Sequence, residues 1–205
     1  MPKQVDYESR RRRIAEAVCL LADEHGPEGV TMRDVATRAE VSLGAVQRCF
    51  RNKEEMLLFA VDHVGERITE RVRARLASSP AQSAASALGH AVTEIALLRR
   101  QHRAEARVWL AFVAQAAVSE PLAAQLRISY EALHDLLCRL VTEAGDDAAA
   151  LDPQGEARAL LALADGLTSH VLVGHLTAEE AEDALHAHLV RLWERLDAGG
   201  PGKVD

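Results

Sequence analysis

Apolar residues recur at intervals of three and four along most of the chain, which is the spacing of one face of an α-helix. In the first segment this spacing connects Ile14, Val18 and Leu21, and it predicts a helix from about residue 6 to residue 25. The segment HGPEG, residues 25–29, follows directly. Because glycine and proline interrupt regular structure, we expect the helix to stop there.

Two short helices and one long helix are predicted next. Thr31 can cap the first, since Asp34 lies three residues further on, as in a capping box. The buried face of this helix would consist of Met32, Val35, Ala36 and Ala39. After a short turn, Ser42 can cap a helix that ends near Phe50, and Asn52 then opens the long helix KEEMLLFAVDHVGERITERVRARL. Short helices joined by a tight turn and preceded by a supporting helix describe a helix-turn-helix unit.

The remaining sequence predicts five more helices, separated by short breaks, and no strand. They are placed at about 82–100, 103–118, 121–144, 153–175 and 178–197. The apolar fraction of 48% comes mainly from Ala, Leu and Val, while aromatic residues make up only 3%. Such a composition favours packed helices over sheets. We therefore predict an all-α fold of about nine helices.

Charge is distributed unevenly along the chain, whose net value is −7. Residues 1–52 hold nine Lys or Arg against eight Asp or Glu, whereas the remainder holds fifteen against twenty-three. Only the N-terminal quarter therefore does not repel a polyanion, and its bases cluster in the run from Arg10 to Arg13.

Neither disulfides nor membrane spans are expected. Cys19, Cys49 and Cys138 are odd in number and far apart, so they suggest a reducing compartment. The N-terminus leads into arginines rather than an apolar signal segment, and no apolar stretch approaches the roughly 18 residues that a membrane span needs. The sequence predicts a soluble cytoplasmic protein with no membrane partner.

The helix from Ser42 to Phe50 combines an apolar side with a polar one. Its inward anchors would be Val41, Val46 and Phe50. Its outward side would carry Gly44, Ala45, Gln47 and Arg48. Small residues allow a close approach to DNA, glutamine can pair with adenine, and arginine can pair with guanine or phosphate. Spacing alone is equally compatible with an ordinary solvated helix face.

Residues 10–60 resemble the DNA-binding domain of the TetR family of transcriptional regulators. The matching stretch, RRRRIAEAVCLLADEHGPEGVTMRDVATRAEVSLGAVQRCFRNKEEML, aligns without a gap. It includes the TMRDVA segment, the Val-Ser-x-Gly start of the recognition helix, and Phe50 with Lys53 behind it. The family usually has an aromatic residue at the position of Gln47 and Tyr or His at that of Cys49. These departures leave the operator sequence open.

The resemblance implies a DNA-binding surface and a function. Carried over position by position, the residues that would meet DNA are Thr31, Arg33, Ser42, Leu43, Gly44, Ala45, Gln47, Arg48 and Lys53. The implied function is sequence-specific binding of a palindromic operator in double-stranded DNA. The implied regulator is a repressor that a small-molecule effector releases.

The resemblance also implies the domain organisation. Residues 1–52 would form a three-helix helix-turn-helix domain, and residues 53–197 a larger helical domain for effector binding and dimerisation. Residues 198–205, with the sequence AGGPGKVD, are predicted to be a disordered tail.

Apolar bands on the last two predicted helices support a homodimer. The residues predicted to lie at its interface are Leu160, Ala164, Leu167, Val171, Leu185, Leu189, Leu192 and Trp193. A symmetric operator needs two recognition helices about one DNA turn, roughly 34–36 Å, apart. The alternative is that both bands complete the core of a single chain.

A pocket for the effector could lie between the middle helices, where the few aromatic residues of the chain combine with isolated polar groups. The residues predicted to line it are Trp109, Phe112, Tyr130, His134, Asp165 and His170. The alternative for each of them is an ordinary place in the core or at its edge.

Catalytic and metal sites are not indicated. His134 and Cys138 are spaced to share a metal ion but have no third ligand nearby in sequence. Phosphate loops, dinucleotide signatures, zinc-protease helices and nucleophile elbows are missing from the sequence. We therefore predict a protein without metal or cofactor that is not an enzyme. The competing interpretation is a helical ligand-binding or interaction module without specific DNA binding.

Overall fold

The computed structural model describes residues 2–78, 83–145 and 152–198, and within these ranges it contains nine α-helices, one 3₁₀ turn and no strand. The helices are α1 (Pro2–Gly29), α2 (Met32–Arg38), α3 (Leu43–Cys49), α4 (Lys53–Ser78), α5 (Ala84–Ile95), α6 (Arg103–Ala116), α7 (Glu120–Ala144), α8 (Pro153–Leu172) and α9 (Ala178–Ala198). The predicted all-α fold is confirmed. The predicted disordered tail lies, from residue 199 onward, outside the described residues.

The chain divides into two compact units. The first comprises Met1–Arg67 and Ala104–Ser129, and the second comprises Ile68–Arg103 and Tyr130–Asp205. The boundary predicted after residue 52 therefore falls inside the first unit. Within the described part of the chain, every helix is too short or too polar to span a lipid bilayer.

Long-range side-chain bonds join the first unit together. Arg107 on α6 forms a bidentate ion pair with Asp23 on α1, at 2.5 and 2.8 Å. Gln125 on α7 donates a hydrogen bond of 3.0 Å to the carboxylate of Asp62 on α4. These bonds connect α6 to α1 and α7 to α4 within the first unit.

Helix α1 follows the predicted pattern but continues past the predicted end. Ile14 and Val18 have no exposed surface, and Leu21 is 6% exposed, as the apolar spacing predicted. At Gly26 the backbone leaves the helical conformation, with φ 73° and ψ 161°. A positive φ of this kind is open to glycine at little cost. The HGPEG segment thus interrupts the helix, and one more turn follows the interruption.

The helix predicted at 82–100 is too long, because α5 ends at Ile95. Leu97 has a positive φ of 50°, which an α-helix does not accommodate. Ala96, Leu97 and Leu98 are nevertheless all buried. The apolar pattern therefore continues into the core while the backbone turns, and hydropathy alone did not reveal the boundary.

The helix predicted at 153–175 is also too long, because α8 ends at Leu172. Gly174 has a φ of 76°. The backbone N–H of His175 donates to the carbonyl of His170 at 2.9 Å, which closes the end of the helix. This is the usual glycine-dependent helix stop.

The apolar bands of α8 and α9 lie in the core of the second unit, where both helices pack on each other and on α5. Buried within the single chain are Leu160, Ala164, Leu167, Leu185, Leu189 and Leu192. Side chains already covered by their own chain have little surface left to bury against a partner, which favours the alternative that these bands complete the core of a single chain. Val171 and Trp193 are half-buried, so their place in an interface stays a prediction.

Candidate DNA-binding surface

Helices α1, α2 and α3 pack as the predicted helix-turn-helix unit. Val35 and Val46 have no exposed surface, and Phe50 is 1% exposed. The turn between α2 and α3 places Glu40 at a positive φ of 54°. Arg13 on α1 donates a hydrogen bond of 3.2 Å to the carbonyl of Glu40, so α1 supports this turn directly.

The predicted caps of α2 and α3 are present. The Thr31 hydroxyl accepts a bond from the backbone N–H of Asp34 at 3.2 Å, and the Ser42 hydroxyl accepts one from Ala45 at 3.1 Å. The capping box at Thr31 is incomplete, because the Asp34 carboxylate accepts from the Thr31 hydroxyl at 2.6 Å. A complete box would have it accept from the Thr31 backbone N–H instead.

The outer side of α3 has the polar character that was predicted. Gln47 and Arg48 are exposed, while Leu43 and Gly44 are half-buried beside them. Ala45, in contrast, is only 8% exposed. Its predicted outward place is wrong, because α3 packs against both α1 and α2 and so buries a wider face than one stripe.

Cys49 is an inward anchor of α3 that the sequence reasoning missed. Its side chain is 4% exposed, and it follows the buried Val46 by three residues, a spacing that could have identified it. Burial raises the pKa of the Cys49 thiol, although Arg10, Arg11 and Arg48 oppose the shift. At neutral pH Cys49 therefore behaves as a small apolar residue.

Thr31, Arg33 and Ser42 are exposed at the N-terminal ends of α2 and α3, as a phosphate-contacting set requires. Lys53, at the start of α4, is half-buried, and its ammonium group donates a bond of 2.7 Å to the carbonyl of Glu28. An ammonium group has three donors. The bond to Glu28 therefore leaves Lys53 able to contact a phosphate as well.

The arginine run of α1 does not form one basic patch. Arg10 pairs with Asp6 at 2.9 Å, and Arg13 bonds to the backbone of the turn before α3. Arg11 stacks on aromatic rings, and Arg12 is exposed. Arg10 and Arg11 are thus engaged within the domain, whereas Arg12 and Arg13 remain exposed.

Other arginines of the domain are also paired. Arg38 forms a bidentate pair with Glu24, at 2.8 Å for both bonds, and these bonds hold the pKa of Glu24 below its ordinary value. The Glu55 carboxylate accepts from the backbone N–H and the Nε of Arg51, at 2.9 and 3.1 Å, which lowers the pKa of Glu55. Exposed Arg33 and Arg48 thus stand out among the cations of the two short helices.

The predicted effector residues are divided between the two units. Trp109 and Phe112, 3% and 0% exposed, belong to the core of the first unit. In the second unit, the half-buried Tyr130 donates its hydroxyl hydrogen to the carboxylate of Asp165. The structure thus places an aromatic ring beside a carboxylate, which is one of the predicted combinations.

His134 and His170, the two histidines predicted to line the effector pocket, take no part in the hydrogen bond between Tyr130 and Asp165. The His134 Nε2 lies 3.2 Å from the carbonyl of Gln154. His170 is exposed near the end of α8, with its ring 4.9 Å from that of His175. A separate cavity of about 370 Å³ lies between α5 and α9, and its lining includes His90, His186 and Trp193.

Comparisons with known proteins agree with this arrangement. Residues 14–60 match the family model described as bacterial regulatory proteins of the tetR family. Residues 84–194 match the model of the C-terminal part of BetI-type transcriptional repressors. The second match covers more than half of the chain.

Individual relatives carry similar descriptions. The HTH-type transcriptional regulator PksA of Bacillus subtilis (strain 168) is 32% identical over 182 residues, covering 84% of this chain and 83% of its own. The HTH-type transcriptional regulator BetI of Burkholderia mallei is 32% identical over 168 residues, covering 82% and 84%.

Solved structures share the fold. A transcriptional regulator from Rhodococcus sp. Rha1 superposes with a TM-score of 0.78 at 30% identity, covering 90% of this chain and 96% of its own. A regulator from Saccharomonospora viridis, crystallised in complex with choline, superposes with a TM-score of 0.77 at 22% identity, covering 89% and 96%.

Proposed function

Since the chain belongs to the TetR family of transcriptional regulators, we propose that it represses transcription from a palindromic operator and is released by a small-molecule effector. A DNA-binding regulator rather than an enzyme is what the family establishes. The observation that supports operator reading is the exposure of Gln47 and Arg48 on a capped helix whose other side is buried.

The surface residues are proposed to have different tasks. Gln47 would pair with adenine, and Arg48 with guanine or phosphate. The residues proposed to hold the DNA backbone are Thr31, Arg33, Ser42 and Lys53. Leu43 and Gly44 would allow the close approach of α3 to the major groove, since neither carries a long polar side chain.

Anisotropy titration with fluorescent duplexes tests the operator proposal. DNA from immediately upstream of the coding sequence should bind at least about 10³-fold more tightly than a scrambled duplex of the same composition. The titration is made at two salt concentrations, because phosphate attraction alone gives steep but equal salt dependence for both duplexes. Equal binding to both would contradict an operator in that DNA and favour the module without specific DNA binding.

Dimerisation is proposed to use the outward face of α8, on the side opposite its buried residues. This face consists of Ala159, Ala162, Leu163, Gly166 and His170, together with the C-terminal cap residue Val173, all exposed or half-buried. Val173 is 79% exposed, an unusual place for a large apolar side chain without a partner. Small residues allow two helices to approach closely, and regulators of this family dimerise.

The effector is proposed to be a small organic cation that binds beside Tyr130 and Asp165. A half-buried carboxylate next to an aromatic ring offers a cation both a counter-charge and a π-face. Binding would lower operator affinity only if the cation prefers the DNA-incompetent arrangement of the dimer. Choline is a suitable first probe, since a protein of this fold has been crystallised with it.

Asp165→Asn should weaken choline binding at least about tenfold, because it removes the counter-charge of the quaternary ammonium group, and two unit charges about 4 Å apart near a protein surface attract each other by a few kcal/mol. Calorimetric titration of the homodimer measures this loss, and operator release by choline should weaken in parallel. Asp183→Asn, which changes an exposed carboxylate on α9, is the matched control. Unchanged choline affinity in Asp165→Asn, or no choline binding by the unmodified protein, would contradict the proposed effector site.

A further inference from the structure

Arg11 on α1 lies between aromatic rings at the end of the recognition helix. Its guanidinium carbon is 4.2 Å from the ring centroid of Phe59 and 4.9 Å from that of Phe50. The two rings are themselves 5.4 Å apart and tilted by 51°. Tyr7, one turn earlier on α1, contributes a third ring at 5.9 Å.

These rings belong to the elements that fix α3. Phe50 is the C-terminal cap residue of α3, and its backbone N–H bonds to the carbonyl of Val46 at 2.9 Å. Phe59 lies on α4. Arg11 therefore joins three elements, α1, the end of α3 and α4, through one planar cation.

The environment of Arg11 favours a role inside the domain. Its Nε is buried and has no hydrogen-bond partner among the described residues. Arg11 as a whole is half-buried, and a partly desolvated cation gains more from aromatic faces than a fully exposed one does. It also lies near the C-terminal end of α3, where the helix dipole attracts positive charge.

We propose that Arg11 is a positioning residue for operator recognition: it holds α3 at the angle that presents Gln47 and Arg48 to DNA, without touching DNA itself. The proposal rests on the proposed operator binding. It separates Arg11 from Arg12, the next residue of the same helix, whose side chain is exposed. Sequence alone gives the two arginines the same role.

Arg11→Met and Arg12→Met form the central comparison, because both remove one charge from the same helix and keep an unbranched stem. Arg11→Met should weaken operator binding about tenfold, as expected if only about a tenth of the molecules hold α3 in the competent position. Binding to scrambled DNA should stay within about twofold. Arg12→Met should leave the ratio of the two affinities unchanged.

The salt dependence separates positioning from direct contact. A phosphate contact contributes about 0.9 to the slope of log affinity against log salt concentration. The slope should be unchanged in Arg11→Met. A slope reduced by about that amount, with operator and scrambled DNA weakened equally, would show that Arg11 binds phosphate and would overturn the proposal.

A double-mutant cycle tests the ring contact. Phe59→Leu removes the nearest ring but leaves every charge in place. If the stacking positions α3, the losses of operator affinity in Arg11→Met and Phe59→Leu should not add in the double variant. Arg11→Lys should recover part of the affinity, since lysine keeps the cation but not the planar stack. Fully additive losses would overturn the proposal.

Hydrogen exchange tests the same role without DNA. The backbone amides of residues 45–50 should exchange faster in Arg11→Met than in Arg12→Met, with thermal unfolding recorded to exclude global loss of structure. If the unmodified protein showed no operator preference, the proposed repressor function would be contradicted. The exchange measurement would still decide whether Arg11 positions α3. Equal protection of these amides in both variants would overturn it.

Discussion

Replacing Gln47 and Arg48 together by alanine should abolish the preference for the operator over scrambled DNA. A bidentate side-chain contact to a base contributes about 1–3 kcal/mol of discrimination, so two contacts on each recognition helix can supply a preference of about 10³ or more. Both side chains are exposed, and alanine favours helices, so folding should be unaffected. Anisotropy titration against both duplexes measures the loss.

Removing an arginine also removes positive charge, and a control must account for it. Arg139→Ala deletes an exposed arginine of α7, outside the helix-turn-helix unit. It should keep the full operator preference. If the Gln47→Ala, Arg48→Ala variant kept that preference as well, base reading would have to be assigned to other residues.

The recognition helix was predictable because its signals are local. Thr31 and Ser42 cap helices through residues only three positions away, and the polar positions 47 and 48 follow one short helix. Ala45 was placed incorrectly for the opposite reason. Its burial depends on the packing of α3 against α1 and α2, and a helical projection of α3 alone does not contain those partners.

The arginine run shows the same limit for charge. Four identical neighbours suggest one basic patch, but their partners lie at very different distances along the chain. Arg10 bonds four residues back, Arg13 bonds to residue 40, and Arg11 contacts rings at residues 50 and 59. Only a folded domain brings these partners together, so composition overestimated the charge available to DNA.

The residues of a dimer interface were hard to predict because hydropathy does not distinguish burial within a chain from burial against a partner. The leucines of α8 and α9 satisfy both interpretations, and the structure assigns them to the single-chain core. The face that is left on α8 mixes small residues with the isolated larger side chains of Leu163, His170 and Val173, and it forms no continuous apolar band. A search for wide apolar bands overlooks such a face.

Gly166→Arg should separate these interpretations by breaking the dimer without unfolding the chain. A Cβ built at Gly166 has no atom within 4 Å beyond its two chain neighbours and the backbone of its own helix, so the single chain has room for a side chain there. A twofold interface would receive the new charge from both copies. Each unpaired buried charge costs about 3–5 kcal/mol, so the dimer dissociation constant should rise at least about 100-fold.

Sedimentation equilibrium measures the dissociation constant of Gly166→Arg, and thermal unfolding checks that the fold is retained. Gly166→Ala is the matched control, since it keeps the face small and should remain dimeric. Leu192→Ala should instead destabilise the single chain and leave the proposed dimer face intact. It removes a side chain with no exposed surface, which should cost about 2–5 kcal/mol of folding free energy. Operator affinity should fall with the dimer in Gly166→Arg, since a monomer contacts only one half-site. A Gly166→Arg variant that still dimerises with unchanged affinity would exclude this face of α8 from the interface.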